Sequence, residues 1–250
     1  MVGMSLNSRE MLEVAAVAGV AAALAGGYAY AAMWPGSRIF GTAMTAPRNG
    51  EVPEIALTFD DGPNPDWTPR LLDLLAEREV RATFFLIGQY AAAERGLVWR
   101  IHEAGHLIGN HTWTHPNLSR TGVGRTREEL RRTSGEIEGI VGAPVRYFRP
   151  PFGARGPWTF GVAREMGMVP VTWNVIGNDW NAGSSGEIVD RVVRLTDGHQ
   201  RRGFATNLVL HDGSHRRPAA DRSRSVEAAG VLLAKYGGTH RFVTLDAWAG

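Results

Sequence analysis

From residue 51 onward, short apolar runs alternate with stretches whose apolar residues recur at helical spacing. Ile55-Ala-Leu-Thr-Phe59 has no helical period and reads as a buried strand. Asp60-Asp61-Gly62-Pro63 reads as the loop leaving its C-terminal end, turned by glycine and proline. Thr68-Pro69 reads as an N-cap with proline at the first helical position, and Leu71, Leu72, Leu74 and Leu75 give that helix its buried face. Further strands are predicted at 81–87, 106–109, 145–148, 169–173, 207–210 and 242–245. Helices are predicted over 88–104, from a Thr126/Glu129 capping box to about 141, around 160–166, after a Ser184/Glu187 capping box, and around 225–236. Strands alternating with helices imply a parallel sheet, here closed into an α/β barrel.

The first fifty residues follow a different pattern. Val14 to Trp34 contains no charge and is rich in alanine, glycine and valine. That length can span a bilayer as a helix, although alanine and glycine contribute little hydrophobicity. Arg9 precedes the run but is offset by Glu10 and Glu13. Ala29-Tyr30-Ala31 fits a small-x-small cleavage site. Residues 1–34 are therefore expected to be a membrane anchor, with a cleaved signal segment or a helix packed on the domain as alternatives. Residues 35–50 read as a linker, and 51–250 as one globular unit.

Composition narrows the chemistry. The formal net charge is only +2, and the arginines are scattered, so nothing calls for nucleic acid. Cysteine is absent, which excludes thiolate metal sites, disulfides and cysteine catalysis.

The polar residues that stand out all follow predicted strands: Asp60-Asp61, His111-Thr-Trp-Thr-His115, Arg149-Pro-Pro-Phe152, Asp179-Trp180 and His211-Asp212. In a parallel barrel those strand ends share one face, where active sites sit. His111 and His115, four residues apart, can share a metal on one turn. With an Asp at a neighbouring strand end they make a donor set suited to zinc or another divalent first-row ion, with cobalt, nickel and manganese as alternatives. Asp60 and Asp61 could be a glycosidase pair, but those carboxyls must stand at least ~5 Å apart on either side of a bond. A metal ligand beside a general base suits adjacency better. Arg149 is held on a stiff extended segment before two prolines. His211 reads as a general acid, with a satisfied strand-end histidine as the alternative. The other histidines, His102, His106, His199, His215 and His240, read as structural, with His215, near His211, the one to check. Trp113 and Trp180 read as packing residues, with stacking on sugar faces as the alternative.

In combination these motifs resemble the polysaccharide deacetylases of carbohydrate esterase family 4, over about residues 50–250. The resemblance rests on Thr58-Phe-Asp-Asp-Gly-Pro63, His111–His115, Arg149-Pro-Pro-Phe-Gly153, Asp179-Trp180 and Val209-Leu-His211, in that order. It implies a distorted barrel of about seven strands behind the N-terminal hydrophobic helix. Asp61, His111 and His115 would be metal ligands, Asp60 the general base held by Arg149, and His211 the general acid oriented by Asp179. The backbone N–H of Phe152 would help stabilise the oxyanion, with Val209 and Trp180 in substrate contact. The implied reaction removes N-acetyl groups from an amino-sugar polymer such as peptidoglycan or chitin. The protein would be a monomer, membrane-anchored or secreted, with its catalytic part outside the cytoplasm. Three positions depart from the family pattern: Ile176 replaces an acid, Val209 a leucine, and Phe152 a tyrosine or tryptophan. Two alternatives remain: a carbohydrate-binding module without turnover, and a metal-dependent amidase or esterase for a small molecule.

Overall fold

The computed structural model describes residues 8–249. Eight strands form one parallel sheet: β1 (Glu54–Gly62), β2 (Thr83–Leu86), β3 (Leu107–Asn110), β4 (Tyr147–Phe148), β5 (Val169–Pro170), β6 (Val175–Ile176), β7 (Thr206–His211) and β8 (Arg241–Val243). They lie in the order β5-β4-β3-β2-β1-β7-β6, with β8 paired to the start of β1. The seven-strand row is the expected distorted barrel. Its edge strands, β5 and β6, share no ladder among the described residues. β6 was not predicted, because two residues are too few to show a period.

β1 is the central strand, and its alternation sorts the core. Ile55, Leu57 and Phe59 join the large apolar cluster under the helices. Ala56 joins the smaller cluster of Phe85, Tyr147, Val171 and Val243. The outer layer is made of α2 (Thr68–Glu77), α3 (Gly88–Ala93), α4 (Arg95–Glu103), α5 (Val123–Val141), α6 (Thr159–Glu165), α7 (Ser185–Gln200) and α8 (Ser223–Tyr236). Leu71 and Leu75 of α2 are fully buried, each side chain worth about 1.5–3 kcal/mol of transfer free energy.

Several local expectations are corrected. The helix predicted over 88–104 breaks at Glu94 (φ −116°, ψ 44°), giving α3 and α4. Thr68 is not the cap of α2, since Trp67 holds that position. Its hydroxyl instead accepts the Asn64 N–H at 2.8 Å and donates to Asp212. α5 starts at Val123, so Thr126 lies inside it and bonds back to the Gly122 carbonyl, while Glu129 turns elsewhere. The Ser184 cap holds, its hydroxyl accepting the Glu187 N–H.

The apolar run forms α1 (Ser8–Met33). At 1.5 Å per residue it is about 39 Å long, more than a bilayer's hydrocarbon core. Ala15–Met33 has a mean hydropathy of 1.5 and is 11% buried, enough by length and composition to cross a membrane. The side chains of Arg9, Glu10 and Glu13, invoked above as its flanking charges, lie outside the described residues. Its last turn meets the barrel. Ala31 and Ala32 are buried, and Tyr28 donates to the Ser119 carbonyl at 2.7 Å.

Residues 35–50, read as a linker, pack along the seam between the sheet edges. Met44 pairs with Val171 and Arg48 with Phe204, and Asn207 Nδ2 donates to the Thr45 carbonyl at 2.7 Å. The buried Arg155 guanidinium donates to the carbonyls of Gly153, Trp34 and Ser37. Backbone groups make most of these contacts, which is why a composition rich in glycine and proline did not reveal them.

Candidate active site

The C-terminal ends of the strands surround a cavity of about 810 Å³. Two adjacent carboxylates reach it because β1 is irregular. Its register against β2 slips between Asp60 and Gly62, and Asp61 has φ 71°. A bulge of this kind adds one residue and re-aims a side chain. Asp61 therefore faces the same way as Asp60. His111 Nε2 lies 3.4 Å from Asp61 Oδ1 and 3.9 Å from Asp60 Oδ2.

Arg149 ties the two sides of this corner together. Its Nη1 donates to Asp60 Oδ1 and Thr58 Oγ1, both at 2.7 Å, and its Nη2 to Asn207 Oδ1 at 3.2 Å. Its carbonyl lies 2.8 Å from His111 Nδ1. This contact sets the His111 ring with Nε2 toward Asp61. His115 Nε2 stands 3.0 Å from Asp61 Oδ1. That contact is close but not aligned as a hydrogen bond, so Asp61 Oδ1 is buried without a partner, as is His115 Nδ1. Burial opposes the charged carboxylate of Asp61, yet the imidazoles of His111, His115 and His215 hold its pKa well below the ordinary value. Burial lowers the pKa of His115 in spite of Asp61, which favours the neutral imidazole a metal requires.

The opposite wall is a paired acid and base. Asp179 Oδ1 lies 2.8 Å from His211 Nδ1, and Oδ2 accepts the His211 N–H at 2.7 Å and the Ser225 hydroxyl at 2.6 Å. Burial works against the imidazolium, but Asp179 outweighs it and raises His211 to about 9. Trp180 is half exposed and meets the His211 ring edge-on at 5.0 Å. Val209 and Ile176 also line the cavity. Phe152 is exposed at the rim, with φ 60°, and its ring meets His115 edge-on at 4.6 Å.

Strain clusters here. Among the described residues six non-glycine positions have positive φ. Asp61, His115 and Phe152 line the cavity, Thr112 and Asn178 lie next in sequence to the lining residue His111 and to Asp179, and Glu79 lies elsewhere. Such conformations cost about 1–3 kcal/mol each and persist where surrounding structure enforces them.

Two residues at the site escaped the sequence reading. Glu129 Oε2 accepts the N–H groups of Trp113 (3.0 Å) and Thr114 (2.7 Å), and Oε1 accepts the Thr114 hydroxyl (2.7 Å). It thus holds the loop between the two histidines. His215, read as structural, stacks on His115 with centroids 4.4 Å apart and planes 10° apart. Donor atoms of Asp61, His115 and His215 lie within 4.8 Å of one another. A divalent first-row ion suits this carboxylate and imidazole chemistry, and the buried Asp61 Oδ1 provides an unshared oxygen for it.

Comparison with known proteins places the chain among polysaccharide deacetylases. The family model described as polysaccharide deacetylase matches residues 48–171. A chitooligosaccharide deacetylase of Sinorhizobium fredii is 39% identical over 171 residues, covering 68% of this chain and 77% of the relative. A peptidoglycan-N-acetylglucosamine deacetylase of Bacillus cereus is 34% identical over 196 residues, covering 78% of this chain and 67% of the relative. Among solved structures, a peptidoglycan N-acetylglucosamine deacetylase in complex with a naphthyl-substituted N-hydroxybenzamide matches with TM-score 0.71 at 32% identity. That match covers 82% of this chain and 91% of the other. A pseudoenzyme of carbohydrate esterase family 4 from Bacillus anthracis gives TM-score 0.72 at 23% identity, covering 82% of this chain and 68% of the other, a likeness of fold alone.

Proposed function

We propose that this chain, which belongs to the polysaccharide deacetylase family, hydrolyses N-acetyl groups from an amino-sugar polymer with the help of one divalent ion. Asp61, His111 and His115 would hold that ion, with zinc the first choice. The observation that carries the reading is the bulge in β1, which sets Asp60 and Asp61 side by side and gives them different neighbours.

When bound, the ion supplies polarisation of the acetyl carbonyl and acidification of a water. Asp60 Oδ1 is pinned by Arg149, which leaves Oδ2 to take the proton of the attacking water. His211 carries a proton through neutral pH, since Asp179 raises its pKa to about 9. Its Nδ1 is committed to Asp179, so Nε2 delivers that proton to the departing amine. Without this step an amide C–N bond hardly breaks. The N–H of Phe152 serves the oxyanion, and its strained backbone sets the direction of that N–H. Trp180 and Val209 would contact the substrate.

Asp60, Asp61, His111, His115 and His211 line one cavity, which favours turnover over passive glycan binding. The names of the relatives favour an amino-sugar polymer over a small molecule. Acetate release from chitooligosaccharides and from N-acetylated peptidoglycan, with and without chelator, tests the reading. Activity unaffected by complete metal removal would sink it.

The exposed, uncharged Ala15–Met33 supports a membrane anchor that keeps the catalytic unit outside the cytoplasm. Recovery of the full chain wholly in the soluble cytoplasmic fraction would refute this part.

A further inference from the structure

The loop that follows β7 brings one more imidazole to the metal corner. Gly213 packs directly on the backbone of Asp61, where an added Cβ would overlap the Asp61 carbonyl. Only glycine permits that approach, and it carries Ser214 and His215 over the carboxylate. The Tyr90 hydroxyl lies 3.3 Å from the Ser214 carbonyl and 3.1 Å from the His215 carbonyl, fixing the loop. The backbone N–H of His215 donates to Asp61 Oδ2 at 3.4 Å.

The ring is fixed as well. It lies flat on His115, and Phe152 closes on it edge-on at 5.2 Å. Its Nδ1 lies 3.6 Å from Asp61 Oδ2, and His115 Nε2 lies 3.0 Å from Oδ1. The two stacked imidazoles thus present nitrogen to the two oxygens of one carboxylate. Simple packing would not require His215 to direct a nitrogen there.

We propose that His215 is a fourth protein donor to the divalent ion. The proposal rests on the metal reading given above, in which Asp61, His111 and His115 are the ligands. Asp61, His111, His115 and His215 would then hold the ion, which would still supply polarisation of a water. A third imidazole also biases the site toward zinc, cobalt and nickel and away from manganese and magnesium, which prefer oxygen.

The test uses the full chain in detergent, stripped of metal and titrated with Co²⁺ against a competing chelator. Wild type is compared with His215→Ala, His215→Phe and His111→Ala, each verified as folded by circular dichroism. Phenylalanine keeps a ring to stack on His115 but has no donor nitrogen. Both His215 variants are expected to bind Co²⁺ at least ~10–100-fold more weakly, the range seen when even an outer partner is lost. Their visible d–d bands should shift because the ligand field changes. Wild-type affinity and bands in His215→Phe would overturn the proposal. Weakened affinity with unchanged bands would overturn it too, since His215 would then only hydrogen-bond Asp61. If His111→Ala binds like wild type while His215→Phe does not, His215 takes the place of His111 as a ligand, and both the fourth-donor proposal and the three-ligand reading fall. A wild type that binds no Co²⁺ removes both.

Discussion

The two walls of the cavity hold their polar groups by different means. On the wall built by β1 and the loops after β3 and β4, the backbone is strained at Asp61, Thr112, His115 and Phe152, and Asp61 Oδ1 and His115 Nδ1 are buried unpaired. Across the cavity only Asn178 has positive φ, and both Asp179 oxygens, the His211 N–H and His211 Nδ1 are paired. Strain and unpaired polar atoms each cost about 1–3 kcal/mol, so the first wall is a net burden on folding. Its donors converge on one point, as a site for a small charged ligand requires. The second wall needs nothing added, because its carboxylate already sets the imidazole's proton affinity. On the proposed function, one wall would hold an ion and the other would keep a proton.

Removing the first wall's central group should have the largest effect. Asp61→Ala is expected to release the metal and lower kcat by about 10³–10⁴-fold or more, several kcal/mol of lost stabilisation. Metal content measured alongside kcat checks this. A variant that keeps both would erase the distinction between the walls. Asp60→Asn should separate base from ligand on that same wall. Turnover should fall by about 10²–10⁴-fold while metal content stays at the wild-type level. Wild-type kcat in this variant would show that Asp60 is not the base.

On the second wall, Asp179→Asn should change the pH profile as well as the rate. The alkaline limb of the kcat profile reports loss of the His211 proton, near pH 9 in the wild type. Burial remains in the variant but the negative charge is gone, so the pKa falls and the limb moves to lower pH. The peak rate should fall by roughly 10²-fold as the ring loses its orientation, a milder form of the loss seen when a catalytic His–Asp pair is broken. An alkaline limb that stays put or rises would show that Asp179 does not act on His211.

How much of this was readable from sequence also differs between kinds of contact. β1 and its Asp pair were legible because an apolar run meets charge at a Gly-Pro turn. The same reading placed His111, His115, Arg149, Asp179 and His211 at strand ends, and all lie in or behind one cavity. The bulge that turns Asp61 beside Asp60 was not legible, since nothing in Asp-Asp-Gly-Pro specifies a register slip. Residues 35–50 looked like a linker because their contacts are made largely by backbone carbonyls. His215 carried no spacing signal to another ligand, and only the passage of Gly213 over Asp61 brings it there. Glu129 fitted a capping box by spacing, but α5 begins three residues before Thr126 and leaves the carboxylate free to reach another loop.

That reassignment of Glu129 leads to the smallest expected effect on turnover. Its carboxylate is nearly fully buried and accepts three hydrogen bonds from Trp113 and Thr114. Those residues lie between His111 and His115, where Thr112 and His115 have positive φ. In Glu129→Ala two backbone N–H groups lose their acceptor, at about 1–3 kcal/mol for each that stays dry. Stability in denaturant should fall accordingly, and the loop should hold the two imidazoles less firmly. Metal affinity is expected to drop about tenfold, the lower end of the range for an outer partner. Once saturated with metal, the variant should turn over at close to the wild-type rate, because Asp60 and His211 are untouched. Glutamine at this position can still accept both N–H groups through its carbonyl, with its amide turned to the Thr114 hydroxyl. Glu129→Gln should therefore restore most of both losses. If glutamine fails where the geometry is preserved, the charge of Glu129 matters in its own right, through Arg125 at 3.6 Å or through the imidazoles the loop carries. If alanine leaves metal affinity unchanged, the strained loop holds its shape without Glu129, and the metal wall depends less on its surroundings than its unpaired atoms suggest.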